Sequence, residues 1–460
     1  MAHLQHVASL ALCAGVFVVP IQASAEPMEE AHESMPSTPL GIDETRDASG
    51  TSWQPESTPM FMWHAKAGAW TLGLHTNSFV GYDSKATDRG NDQFLSINWL
   101  MGMARRPVGS GDITLRAMLS AEPATMPQSG YPLLLQTGES FDGQPLHDRQ
   151  HPHDLFMELA ARYRQPITAS IGFELYAAPV GEPAVGPTAF PHRFTSMANP
   201  LAPLGHHWFD STHITFGVLT AGVFTRTFKL EGSWFNGREP DDTRWDFDFR
   251  RFDSAAARLS LHPSRDLTAQ ASWARLDSPE ELEPDVSVQR FTASATWNRR
   301  LANGVDDVSV TAAAGRNKPS AGPATNASLV EAMLMLRDTH SIFGRVELLS
   351  KTGQDLVLPD AMAETKYGMA SFSAGYVYDF EQLGPLVPGI GAVGTIDVIG
   401  ADLEPFYGTR TPVGGIVFVR IRPPVMKMKM GHMTRMSDAG GSTKASTPTA
   451  ATDPHAGHAM

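Results

Sequence analysis

The sequence predicts an all-β membrane protein: a transmembrane antiparallel β-barrel of about 14–16 strands, with long external loops and a disordered C-terminal tail. Three observations predict it. Apolar and polar residues alternate with period two in one segment after another, the connections between these segments alternate between short and long, and a helical span is missing. The longest apolar run, residues 7–21, falls short of the roughly 18 residues a spanning helix needs and sits at the very start. Charged residues make up 18% of the chain, against about 25% in an average globular domain, which argues against three soluble domains. The formal charge of −13 excludes a generic nucleic-acid binder, which would carry a basic face.

In chain order, residues 1–25 read as a signal peptide, with an apolar core and Ala23-Ser24-Ala25 as the cleavage pattern. Cleavage there would remove Cys13, the only cysteine, and with it any disulfide or thiolate metal site. Residues 26–65 form an N-terminal periplasmic segment, 66–423 the outer-membrane barrel, and 424–460 a Met/His-rich tail.

About sixteen segments of about 9–13 residues are long enough to cross a bilayer when tilted. They begin near Ala67, Gln93, Asp112, Asp154, Ile167, His213, Thr227, Asp253, Leu267, Ser287, Asp307, Ser328, Ser341, Tyr367, Ile390 and Pro412. Leu95, Ile97, Trp99, Met101 and Met103 share one face of the second, while Ser96, Asn98 and Gly102 share the other. Met157 and Leu159 alternate with Glu158 and Arg162 in the fourth, and Val330 and Leu334 oppose Glu331 and Met335 in a later one. If the apolar set of each strand faces lipid, then Arg116, Glu158, Arg162, Glu174, Arg258, Arg290, Glu331, Arg337, Arg345, Glu347 and Asp397 line the lumen. Mixed signs there suit ion-paired filling or a narrow channel rather than a strongly selective pore. An even strand count puts both termini on the short-turn, periplasmic side.

Two loops and the tail carry the candidate chemistry. Residues 136–154 hold His147, His151 and His153 among carboxylates, and residues 178–213 add His192, His206, His207 and His213. Seven of 17 histidines thus fall on two loops that the topology puts at one end. Imidazole with carboxylate suits Zn, Cu or Ni, whereas the structural alternative is hydrogen-bonded capping of the barrel by inward-folded loops. The metal candidates in the loops are His147, His151, His153, His206 and His207. Those in the tail are Met426, Met428, Met430, His432, Met433, Met436, His455 and His458. Thioether with imidazole is a soft, neutral set suited to Cu(I). A hydrolase would need a serine nucleophile. Ser140, His147 and Asp148 are available types, but no nucleophile elbow surrounds Ser140.

The runs GTSWQPESTPM (residues 50–60) and QTGESFDGQPLHDRQHPHDLFMEL (residues 136–159) resemble stretches of uncharacterised exported bacterial β-barrel proteins. Those in turn resemble outer-membrane components associated with copper and heavy-metal resistance. The resemblance implies an outer-membrane location and a metal-handling context, and no catalytic residues. The expected function is a barrel that binds or passes metal ions, copper first, in metal resistance or transport. The alternatives are a general porin-like channel for small solutes and, third, a barrel-embedded hydrolase; an enzyme is not expected. Copper as Cu(I), or another transition metal, is the expected cofactor, with no organic one. Expected partners are outer-membrane lipid, metal ions or small solutes, and periplasmic metal-handling proteins.

Overall fold

The computed structural model describes residues 38–426. Residues 1–37, with the expected signal peptide, and residues 427–460, with Met428, Met430, His432, Met433, Met436, His455 and His458, lie outside the described residues.

Nineteen strands are present among the described residues. They are β1 (Trp63–Ala67), β2 (Trp70–Ala86), β3 (Gln93–Val108), β4 (Gly111–Leu119), β5 (Tyr131–Phe141), β6 (Gln144–Gln150), β7 (Phe156–Pro166), β8 (Gly172–Gly181), β9 (Thr215–Phe224) and β10 (Phe228–Phe235). There follow β11 (Ser254–Ser264), β12 (Leu267–Asp277), β13 (Ser287–Arg300), β14 (Asp307–Pro319), β15 (Thr325–Leu336), β16 (His340–Thr352), β17 (Lys366–Asp379), β18 (Val387–Ile399) and β19 (Val413–Arg422). β5 and β6 pair only with each other, as a separate hairpin, and β4 pairs with β7 across the gap they leave. β1 folds back on the start of β2. The other sixteen strands pair antiparallel in sequence, and β19 returns to β2 with Val413 opposite Ala86 and Ile421 opposite Ser78. The ring is closed. Closure leaves no unpaired edge, which a lipid-facing sheet could not tolerate.

Alternation dictates the faces. In β10 and β11 every second residue is buried, and the residues between them are exposed. Leu230, Trp234, Val330, Leu348, Ile390 and Val417 stand on the outer face, each more than half exposed. A belt of this size around the whole wall would be costly in water, at roughly 25 cal/mol per Å² of apolar surface, and is at rest in hydrocarbon. Tyr82, Trp234, Trp297, Tyr376 and Tyr378 are among the exposed aromatics.

The facing expected from the sequence is reversed in β3. Leu95, Ile97, Trp99 and Met101 point inward and are buried, while Phe94, near the start of the same strand, is 74% exposed on the outside. The reason is that the interior here is not water. Leu95 and Ile97 pack with Leu133, Phe190 and Phe194, and Trp99 and Met101 pack with Met118, Val180 and Ile214. A second correction lies in β7. The pairing slips between Met118 and Leu119 and again between Leu159 and Ala161, so Met157 and Glu158 are both buried rather than facing opposite ways. An extra residue in one strand of a pair has this effect on parity.

Candidate functional site

Two irregular segments fill the barrel. The first is residues 38–62, expected from sequence to lie in the periplasm. Asp47 accepts Arg162 Nη2 at 2.6 Å and Arg164 Nη1 at 3.2 Å. Arg116 donates to the carbonyls of Ala48 (3.2 Å) and Gly50, Arg258 Nη2 donates to Thr51 Oγ1 at 2.9 Å, and Lys229 Nζ donates to Thr51 O. The second is residues 182–214, between β8 and β9. Arg193 bonds Glu331, and its Nη1 lies 3.2 Å from Asp210 Oδ2. Glu347 accepts the Leu204 and Gly205 N–H groups at 3.1 and 2.8 Å, Arg345 donates to Leu201 O at 3.1 Å, and Arg290 donates to Ser211 Oγ at 2.9 Å. The two segments meet where Ser52 and Thr188 hydroxyls sit 3.1 Å apart and the Ala189 N–H donates to Ser49.

Ten of the eleven residues expected to line the lumen point into this interior: Arg116, Glu158, Arg162, Glu174, Arg258, Arg290, Glu331, Arg345, Glu347 and Asp397 are all buried. Glu158 pairs with Arg116 at 3.0 Å and Glu174 with Lys229 at 3.1 Å, while Asp397 borders a small void with Lys85 and Ser371. A water-filled channel would leave such wall charges accessible, yet Arg258 and Glu331 are each 1% exposed. The lumen is shut in this conformation. Arg337 is a correction: it occupies the β15–β16 turn with φ 54° and is exposed, because the strand ends at Leu336 and the turn needs a left-handed residue there.

The loop histidines lie at the long-loop end and, except for His147, are buried or nearly so. His153 Nδ1 is 2.8 Å from Glu122 Oε1, and the same carboxylate accepts the His153 N–H at 2.8 Å. His206, on the helical turn His206–Phe209, places Nδ1 2.8 Å from Asp210 Oδ1. Its ring centroid lies 5.1 Å from that of His213, which in turn lies 5.5 Å from that of His153. His207 Nδ1 is 3.5 Å from Glu239 Oε1, and His151 Nε2 abuts Glu139. Half-exposed His147 stands apart, with Nδ1 2.8 Å from Asp148 Oδ2. The structure therefore brings His151, His153, His206 and His207 to one end and leaves His147 aside. Met426 lies on the other side of the wall ends, its N–H on Met60 O at 2.8 Å.

Around these rings the carboxylates are unequal. Burial pushes Glu139 up to about 7 against the pull of Arg244, whose Nη2 donates to Glu139 Oε2 at 2.9 Å. Burial likewise raises Asp154 to about 6, whereas His206 and Arg193 outweigh burial at Asp210 and hold it at about 2. Glu122, Asp210, Glu239 and Arg244 were not singled out in the sequence. Only the density of charges in residues 236–253 marks the last two. Ser140, the serine a hydrolase would need, donates to Glu281 Oε2 at 2.9 Å rather than to His147.

No protein-family profile and no curated protein matches the chain. Solved structures do. OmpF of Salmonella typhi, in complex with daunomycin, is 9% identical, with a TM-score of 0.50 over 78% of this chain and 100% of that one. An anion-selective porin of Comamonas acidovorans is 11% identical, with a TM-score of 0.47 over 77% and 99%. The outer-membrane channel DcaP of Acinetobacter baumannii is 9% identical, with a TM-score of 0.43 over 79% and 100%. At these identities the likeness concerns the fold alone, which in this chain is a closed, sixteen-stranded antiparallel barrel.

Proposed function

We propose that the chain is an outer-membrane, porin-type channel for small polar solutes, held shut by residues 38–62 and 182–214. The observation that carries this reading is the division of labour inside the barrel. The wall supplies a ring of inward charges of both signs, and two irregular segments, not the wall, close the passage. A ring of sixteen strands is wide enough for an aqueous channel once such segments leave. The outer apolar belt, the closed ring and the fold shared with OmpF support the location. With both signs on the wall, selectivity between anions and cations is weak.

Metal ions, copper first, are the narrower solute class that the Met/His tail suggests; of its methionines and histidines only Met426 is among the described residues. Periplasmic metal-handling proteins would then be partners at the end where the termini emerge.

Planar-bilayer recordings test the channel. The whole chain should conduct weakly, and a variant lacking residues 187–210 should conduct severalfold more, with little ion preference. A deletion variant that migrates as a folded, heat-modifiable barrel and still passes no current would overturn the proposal.

A further inference from the structure

Among the described residues, three side chains with metal-ligand chemistry converge at the long-loop end from different parts of the chain. Glu139 comes from the β5–β6 hairpin, His207 from residues 182–214, and Glu239 from the loop between β10 and β11. One donor atom of each lies within 4.8 Å of the other two. Glu239 Oε2 is buried and accepts no hydrogen bond. His207 Nδ1, 3.5 Å from Glu239 Oε1, is beyond a good hydrogen bond.

A fourth donor makes the case chemical. His151 is nine-tenths buried, and its Nδ1 lies 3.0 Å from Pro152 O. A carbonyl only accepts, so Nδ1 carries the proton. Nε2 of the neutral ring then presents a lone pair, has no hydrogen-bond partner, and abuts the Glu139 carboxylate. Two acceptors face each other in a buried place, an arrangement that calls for either a proton or a metal cation between them. An Nδ1–H held by a backbone carbonyl with Nε2 left free is also how metal-ligating histidines are oriented. Arg244, on Glu139 Oε2, fixes the other oxygen toward His151.

We propose that Glu139, His207 and Glu239, with His151 Nε2 completing the set, bind one divalent transition-metal ion of the zinc type. Two carboxylates and two imidazoles match Zn²⁺, and without thiolate or thioether they are a poor set for Cu(I). Zinc bonds of about 2.0–2.2 Å put tetrahedral ligand atoms about 3.4 Å apart, so Glu139, His207 and Glu239 need side-chain shifts of only about 1 Å, and His151 joins them through its contact with Glu139. The backbone makes room for one ligand: Gly138 has φ +116°, and a Cβ there would lie 2.7 Å from the His207 ring. Access is provided by a cavity of about 100 Å³ bordered by Gly138, His207, Glu280, Glu283 and Asp355, whose carboxylates draw cations inward.

The test uses the full chain, folded in detergent, stripped with chelator and titrated with Zn²⁺, with Co²⁺ as a spectroscopic substitute. Histidines elsewhere in the chain offer ligand atoms too, so the informative quantity is the difference between proteins. Wild type should bind one more Zn²⁺ than Glu239→Gln or His207→Ala. Millimolar Mg²⁺ should not displace that ion, and Co²⁺ d–d bands should weaken in both variants. Glu239→Asp, which keeps the charge, should retain the ion at lower affinity. Gel mobility before and after heating shows that each variant is folded. Equal Zn²⁺ stoichiometry and affinity with superimposable Co²⁺ spectra in wild type and both variants would overturn the site. Ion counting does not involve conductance, so the site and the channel reading fail separately.

Discussion

Glu331→Gln should release residues 182–214 from the barrel. Glu331 stands in the middle of β15, 1% exposed, and gathers Arg193, the Thr195 hydroxyl at 2.9 Å and Arg345 Nε at 3.0 Å. Neutralising it leaves two guanidinium groups in a dry interior without their shared counter-charge, a change that costs about 3–5 kcal/mol in comparable buried pairs. Arg193 keeps Asp210 at 3.2 Å, and Arg345 keeps Leu201 O and Ser196 Oγ, so the lower end, about 3 kcal/mol, applies. With the segment withdrawn, water solvates both cations, and the penalty falls on the closed state alone. At 1.4 kcal/mol per tenfold, the open population should rise by about two powers of ten. Ala198 is fully buried in this segment, and the chain's only cysteine is Cys13, so Ala198→Cys in a Cys13→Ser background supplies a single reporter. Maleimide should label it about a hundredfold faster in the Glu331→Gln background. An unchanged labelling rate in a folded, heat-modifiable protein would refute the idea that this pair holds the segment.

Val330→Arg, one residue earlier, puts a charge where the side chain is 51% exposed on the apolar belt; it should lower folding stability in lipid by about 2–4 kcal/mol, read by denaturant titration. Leu383→Arg, on the short turn between β17 and β18, should cost under about 1 kcal/mol, and equal costs would sink the placement of the belt. Acidity should act through Glu182, just past β8, whose carboxyl burial raises to about 8 despite Arg258. A carboxyl raised in the folded state stabilises fully below its unfolded value of 4.5, and that contribution is lost as pH climbs to about 8. Glu182→Gln mimics the protonated form and should remove a slope of about 1.4 kcal/mol per pH unit from that window, and a pH profile identical to wild type would contradict it.

Sequence revealed the wall because period-two alternation is a one-dimensional signal that survives without partners. Each of the sixteen barrel strands starts close to its predicted residue, and the largest displacement is Ile167 against Gly172. What it concealed was anything that depends on the filling. Leu95, Ile97, Trp99 and Met101 look lipid-facing, because apolar residues on one face say nothing about which apolar medium they meet. The histidines were visible as a crowd on two loops. Their separation into His153 with Glu122, His206 with Asp210, and His151 and His207 beside Glu139 and Glu239 was not, since Glu122 and Glu239 arrive from other parts of the chain and loop geometry decides which nearby carboxylate each remaining ring meets.

The same limit explains why charged inward residues could not decide between an open and a closed lumen. A buried segment without regular structure must find partners for its own N–H and C=O groups. Here the wall provides them: Glu347 for Leu204 and Gly205, Arg345 for Leu201, Arg258 for Gly186, Arg116 for Ala48 and Lys229 for Thr51. An aqueous pore asks for polar walls because water is polar, and an irregular plug asks for them because backbone is. Both demands write the same alternation into the strands. The distinction lies in whether the charges are reached by water or by peptide groups, and at Arg258 and Glu331 peptide and side-chain partners have taken every approach.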